Sequence, residues 1–320
     1  IDGTTYLVRA ECVYGDTDSL FLKFNLRNAD TMEKVVGREA RAVSIALGKE
    51  SGGMVTKTLD APHDLEYEKT FDPFILLSAK RYAGMLYEED PDGTPKLKSM
   101  GIVLKRRDNA PIVKDMYGGV LEILMANKSI GEAIRFVKTM LGDLTTGKIP
   151  MSRLVITKSL RSHYKCPAQI PHKVLATRIA QRDPGNAPRP GDRVKFVYIQ
   201  NSSKSALQGD RIETPEHITA TGQKIDYQHY VTNQIMKPLQ QVFALVLEKI
   251  PGFQRHHAKK YLAECASLHE RFALDETTFV RRQETLRQNV VKELVFGEAL
   301  RKAGNASRGQ PELSSFFRSV

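Results

Sequence analysis

Apolar and polar side chains alternate with a period of two over much of the first hundred residues, whereas the remainder recurs mostly at helical spacing. Tyr6, Val8, Ala10, Cys12 and Tyr14 fall on one face of an extended segment, and Leu20, Leu22 and Phe24 resume the pattern after a tight turn, which predicts a hairpin. Asp30 stands where a helix N-cap would, with Glu33 three residues on. Met32, Val35, Val36, Val43, Ala46 and Leu47 then recur at helical spacing up to Gly48, predicting a helix over one sheet face. Residues 64–90 return to extended character, broken by Pro73 and closed by the turn "DPDG". From about residue 109 the pattern is helical, interrupted by a Pro- and Gly-rich loop at 182–192 that feeds a short strand. The fold class expected is α+β. Residues 1–105 form an antiparallel sheet with a packed helix, 106–303 a mainly helical domain, and 304–320 a flexible tail of small and polar residues.

Composition adds a partner class. Lysine and arginine exceed aspartate and glutamate by 48 to 37, and a formal charge of +11 favours a polyanionic partner, nucleic acid or an acidic membrane surface; the alternative is a soluble protein with a basic surface. No apolar run approaches the roughly 20 residues of a membrane span. Cys12, Cys166 and Cys265 are too scattered for a disulfide framework, so an intracellular, reduced protein is expected. The chain opens on "IDGTTYLVRA" with a strand already under way, which reads as the middle of a larger protein.

Against that basic background, "YGDTDS" (14–19) concentrates acid between two strands. Asp16 and Asp18 on a common strand face would sit about 6.6 Å apart and repel by roughly 2 to 3 kcal/mol at an effective dielectric near 20. Mg²⁺ suits such hard oxygen donors, and two ions could serve in-line phosphoryl transfer. The alternative is a solvated Asp-rich turn. An EF-hand loop is excluded, because its required glycine would fall at Phe21.

The longer string "YGDTDS" resembles motif C of family B DNA polymerases, the catalytic turn of their palm domain. "SAKRYAG" (78–84) resembles the KKRYAG element that faces the primer-template duplex. "RRDNAP" (106–111), "RDPGNAPRPGDRV" (182–194) and "YVTNQIMKPL" (230–239) resemble thumb segments of the delta-type branch. The resemblance implies that residues 1–105 are the C-terminal part of a palm and 106–303 a thumb, acting in DNA-templated transfer of deoxynucleotides from deoxynucleoside triphosphates to a primer 3′ end. It makes Asp18 the ligand of both catalytic Mg²⁺ ions, Asp16 its less direct partner and Glu68 a weaker acidic candidate, with Thr17 and Ser19 shaping the turn. Lys80, Arg81 and Tyr82 would meet the primer end or the minor groove, although Ala79 replaces the first lysine of the element. Lys105, Arg106, Arg107, Arg182, Arg189 and Arg193 would grip the duplex backbone, or form salt bridges such as Arg107 with Asp108 and Arg182 with Asp183.

The family's upstream metal-binding aspartate and nucleotide-binding helix have no match here, so the chain alone is expected not to extend a primer. The cysteine-rich modules that end cellular delta-type enzymes are also unmatched, which points to a large DNA virus, another divergent lineage or a truncated chain, with a viral or nuclear replication site expected. At the end of the sequence, Gln310, Leu313, Phe316 and Phe317 have the spacing of a sliding-clamp (PCNA) peptide, in which a 3₁₀ turn puts Leu313 and Phe316 on one side. An inactive, polymerase-derived module that binds DNA and a clamp is the competing reading.

Overall fold

The computed structural model describes residues 3–105, 107–127, 129–203, 205–254 and 256–308. The chain divides into two compact units, Ile1–Lys105 and Arg106–Val320. The architecture is α+β, with short antiparallel sheets and a large helical share.

In the first unit, β1 (Tyr6–Leu7) pairs with β4 (Arg27–Asn28), and β2 (Glu11–Asp16) pairs with β3 (Ser19–Lys23). The predicted hairpin is present, but its inward face is not the predicted one. A bulge between Cys12 and Tyr14 shifts the register, so Tyr14 lies opposite Phe21 and the two rings touch. Leu20 and Leu22 face outward, 58% and 43% exposed, and Val8, Ala10 and Cys12 are exposed as well. Both faces of these strands carry apolar residues, and one slipped residue decides which face packs.

The helix α1 spans Gly37–Thr56, not Asp30–Gly48. The Asn28 side-chain carbonyl accepts the N–H of Asp30 and of Thr31, which turns the chain back so that Val35 donates to Leu26 O. Leu26, Val35 and Val43 form a small core with Tyr6, Phe24, Ala40 and Leu47 packed around it. Gly48 does not end the helix. It seats Tyr67, whose ring would lie 2.6 Å from an added Cβ, and Gly52 one turn on admits the Leu65 carbonyl at 2.7 Å. Arg41 fastens α1 to the next sheet through Asp72 (3.0 Å) and the face of Tyr87.

That sheet orders β5 (Thr70–Ser78), β6 (Arg81–Tyr87) and β7 (Lys96–Met100). A register shift between Phe71 and Phe74 brings both rings to one side, where Phe21 and Tyr82 meet them at centroid separations of 5.3–6.3 Å. Gly84 makes room, since an added Cβ would stand 2.6 Å from Phe71 and 2.9 Å from the Pro73 carbonyl.

The second unit is built on α2 (Pro111–Asn127) and α3 (Ile130–Thr145). Met116, Val120 and Leu121 of α2 and Val137, Leu141 and Leu144 of α3 are almost wholly buried, and Gly119 admits the Phe136 ring. The single predicted strand proves to be the centre of a sheet of β8 (Ile156–Ser159), β9 (Arg193–Tyr198) and β10 (Ile212–Glu213), with α4 (Pro171–Arg182) packed on it and α5 (Pro215–Thr221) following. Tyr230, fully buried, donates to the Leu154 carbonyl at 2.7 Å and accepts from the Tyr198 N–H. It stands after α6 (Tyr227–His229), at the start of a π-helical stretch that leads into α7 (Met236–Ala244). Then come α8 (His256–Arg271), α9 (Glu276–Val291) and α10 (Gly297–Arg308). Arg287 of α9 ties these together by a paired contact to Glu248 and bonds to Ala244 O and Tyr261 Oη. Residues 304–308, expected as tail, are helical, since α10 buries Ala303 and packs on α3 and α6.

Gly84→Ala is expected to cost about 1–3 kcal/mol in denaturant unfolding, because backbone and a packed ring must both move. Gly53→Ala, helical with open space around it, should instead stabilise by up to about 1 kcal/mol. His229, stacked 3.5 Å from Tyr198, is pushed from 6.5 down to about 4, first by burial and then by Arg211 and Lys237 against the opposing pull of Asp226. The fold thus holds it neutral, and stability present above pH 6.5 should fall by up to about 3 kcal/mol as the pH drops toward 4. In His229→Phe that part of the pH dependence should vanish in matched unfolding curves.

Candidate nucleic-acid and acid-turn site

The acidic turn is a two-residue hairpin tip, Thr17–Asp18, between Asp16 and Ser19. Thr17 takes a φ of +58°, and the Asp18 N–H donates back to Asp16 O at 2.7 Å, a tight and strained γ-turn for a β-branched residue. The Ser19 hydroxyl donates to the same Asp16 carbonyl at 3.0 Å, and the Thr17 hydroxyl to Asp16 Oδ1 at 3.3 Å. The expected hydroxyl-to-backbone bond is present for Ser19, whereas the Thr17 hydroxyl bonds the Asp16 carboxylate instead. Asp16 and Asp18 do not share a strand face, because the turn intervenes.

A second strained tip meets the first. Ala79–Lys80 joins β5 to β6, and Lys80 has a φ of +58°. Its backbone N–H donates to Tyr14 Oη at 2.7 Å, and its Nζ lies 2.5 Å from Asp16 Oδ1. Gly101, at a φ of +62°, closes on the other side, where any Cβ would overlap the Lys80 carbonyl. Residues 64 positions apart, from "YGDTDS" and "SAKRYAG", are therefore brought into contact. The Lys80 ammonium holds the Asp16 carboxyl below its ordinary 3.8, and Asp16 in turn raises Lys80. Tyr82 stands behind the tip in the ring cluster with Tyr14 and Phe21, and Arg81 pairs in register with Ser78.

Two carboxylates with water and phosphate oxygens match the way Mg²⁺ is usually held, so the donor set fits such an ion in kind. Among the described residues no group of three or more His, Cys, Asp or Glu comes together. Glu68 in particular does not join the turn. Its side chain is 70% exposed and is paired with Lys69.

In the second unit, β8 and β9 unite two of the basic segments. Thr157 donates from its hydroxyl to the Arg107 carbonyl, while Arg193 donates to Thr157 O at 3.1 Å and to Ser159 Oγ at 2.9 Å. Arg193 and Lys195 project from the exposed face of β9, while Val194 and Phe196 are buried on the other. Lys195 was missed in the sequence reading, although the alternation in "RVKFVY" marks it. Arg107 is exposed, and Asp108 takes Lys158 (2.7 Å) as its partner. Arg189 is exposed, and its N–H donates to Asp192. Arg182 is engaged elsewhere, 2.6 Å from Glu213, a carboxylate only 5% exposed that also faces Arg178. Its other suggested partner, Asp183, instead caps the turn at Asn186. Lys105 closes a short 3₁₀ turn. Arg106, Gln310, Leu313, Phe316 and Phe317 lie outside the described residues. Among the described residues no helix is long and apolar enough to cross a membrane.

Residues 3–246 match the model of DNA polymerase family B. The chain is 44% identical over 310 residues to a DNA polymerase of Pyramimonas orientalis virus, covering 96% of this chain and 25% of that protein. It is 43% identical to a DNA polymerase of Acanthamoeba polyphaga mimivirus, over 74% of this chain and 14% of the other. To the DNA polymerase delta catalytic subunit of Caenorhabditis elegans it is 37% identical, over 74% and 21%. A solved family B DNA polymerase from Pyrobaculum calidifontis overlays 73% of this chain and 26% of its own at 24% identity, with a TM-score of 0.49. The chain thus spans about a quarter or less of the length of these relatives. It belongs to DNA polymerase family B, with viral and delta-type polymerases as its relatives.

Proposed function

We propose that this chain supplies the motif C turn of the palm and the thumb of a DNA-directed DNA polymerase acting in replication, at a viral or nuclear replication site. The observation that carries the reading is the meeting of the "YGDTDS" and "SAKRYAG" tips at Asp16 and Lys80. Asp18, exposed at the head of the strained turn, is the residue that would hold divalent cations, with Asp16 beside it. Bound there, Mg²⁺ would activate the primer hydroxyl and neutralise charge on the leaving pyrophosphate. Lys80 and Tyr82 lie at the tip where a primer end would rest. Glu68 is left out of this role, given its exposure and its pairing with Lys69. Arg193 and Lys195, with the Thr157 and Ser159 hydroxyls, suit phosphate contacts that position a duplex without reading its sequence.

Residues 1–320 alone are expected to give no templated synthesis from a primed template. In the complete polymerase, Asp18→Asn should lower primer extension by on the order of 10³-fold at unchanged unfolding midpoint. Extension by the isolated chain, or a fully active Asp18→Asn, would sink the assignment.

The thumb reading separates two cations of equal charge. Lys195→Ala is expected to weaken duplex binding alike on all sequences and to reduce the salt slope by about one. Arg182→Ala should keep the slope and instead lower stability, because it strips a partner from the buried Glu213 carboxylate. Fluorescence anisotropy across a salt series, with unfolding curves, reads both.

The Gln310, Leu313, Phe316, Phe317 pattern supports tethering to a sliding clamp, which would raise effective concentration on DNA. A peptide of residues 305–320 is expected to bind a PCNA-type ring in calorimetry, and Phe316→Ala with Phe317→Ala to abolish the heat. Equal binding by the double variant would refute it.

A further inference from the structure

Lys80 combines a fixed base with a movable head. Its backbone is held on one side by Tyr14 Oη and closed on the other by Gly101, in a conformation that few side-chain-bearing residues adopt. Its ammonium sits on a flexible four-carbon stem, with the side chain 65% exposed, against an Asp16 side chain only 17% exposed. The ammonium can therefore change partner while the turn beneath it stays in place. The acidic face toward it consists of Asp16 and Asp18, with the Tyr14 hydroxyl beside them.

We propose that Lys80 couples duplex binding to divalent-cation loading by exchanging partners. This rests on the reading of Asp16 and Asp18 as the acid side of the polymerase site. With neither ligand present, the ammonium neutralises Asp16, and so competes with a cation for the same carboxylate oxygen. A backbone phosphate of bound duplex draws the ammonium off Asp16 and exposes that oxygen. By linkage the effect is reciprocal, so a cation on the carboxylates releases Lys80 toward phosphate. Lys80 is exposed, and solvent screening of its charge limits the coupling to a few-fold, on the order of five-fold, rather than an all-or-none switch.

The probe is Mn²⁺, titrated into the complete polymerase and followed by electron paramagnetic resonance of the unbound ion, with and without saturating primer-template duplex and with no nucleotide present. Duplex should tighten Mn²⁺ about five-fold in the parent protein. In Lys80→Met, Mn²⁺ should bind more tightly in the absence of duplex, and duplex should add less than in the parent. The exposure of Lys80 makes loss of folding no concern for this variant. An equal duplex effect in the parent and in Lys80→Met overturns the coupling. Asp18→Asn separates this from the parent reading: if it binds Mn²⁺ as the parent does, the acid site itself is wrong and the proposal falls with it. If Asp18→Asn loses Mn²⁺ while Lys80→Met keeps the whole duplex effect, only the coupling is wrong.

Discussion

The ring cluster of Tyr14, Phe21, Phe71, Phe74 and Tyr82 is the constraint on which the acid turn depends. Tyr14 and Phe21 belong to the first hairpin, and the other three to β5 and β6, with neighbouring centroids as close as 5.3 Å. An ion pair whose lysine is largely in solvent contributes little by itself and would not align two strained hairpin tips. Aromatic packing contributes per pair as well as through buried area, and it fixes orientation, which the charges do not. The Asp16–Lys80 contact is then a consequence: once the rings interlock, the tips have no choice but to meet. Tyr14 connects the two levels, with its ring in the cluster and its hydroxyl on the Lys80 amide.

Much of this was legible in the sequence, and the failures have identifiable causes. The hairpin and the helix over the sheet could be read from alternation and spacing, and the order of the family segments from the resemblance. The inward face could not, because Leu20 and Leu22 are as apolar as Phe21 and a bulge reverses the choice. Gly48 looked like a helix stop, and only the crossing of Tyr67 explains a glycine there. Asp30 looked like a cap, but Asn28 two residues earlier takes up the amides that a cap would have left for a helix. The Tyr67 crossing is a tertiary contact that overrides a local signal, whereas the Asn28 turn is a local competitor of the helix cap within two or three residues.

The basic residues teach a related lesson. A net charge of +11 suggested a polyanion but did not say which cations face it. Glu213 decides for Arg182, because a carboxylate 5% exposed must be paired, and the guanidinium on α4 is the group within 2.6 Å. Strand alternation decides for Lys195, which is exposed between the buried Val194 and Phe196. Burial of neighbours, rather than charge density, sorts structural from available cations.

The acid of "YGDTDS" is likewise better understood through its neighbours. Read from the sequence, Asp16 and Asp18 form a repulsive pair on one strand face that calls for a metal. In the fold the strained Thr17 turn separates them in role: Asp16 is drawn back against Lys80, while Asp18 stands at the exposed head. A cation from the protein's own chain thus already offsets part of the repulsion, so the acid pair alone is weaker evidence for a metal than its sequence suggested. What strengthens the case is the strain, because two residues with side chains held at positive φ on facing tips persist only when the surrounding packing over-determines them. Glycine or asparagine would adopt such a turn at lower cost. This one keeps threonine and lysine in the unfavourable conformation, where the aromatic cluster and Gly101 hold them.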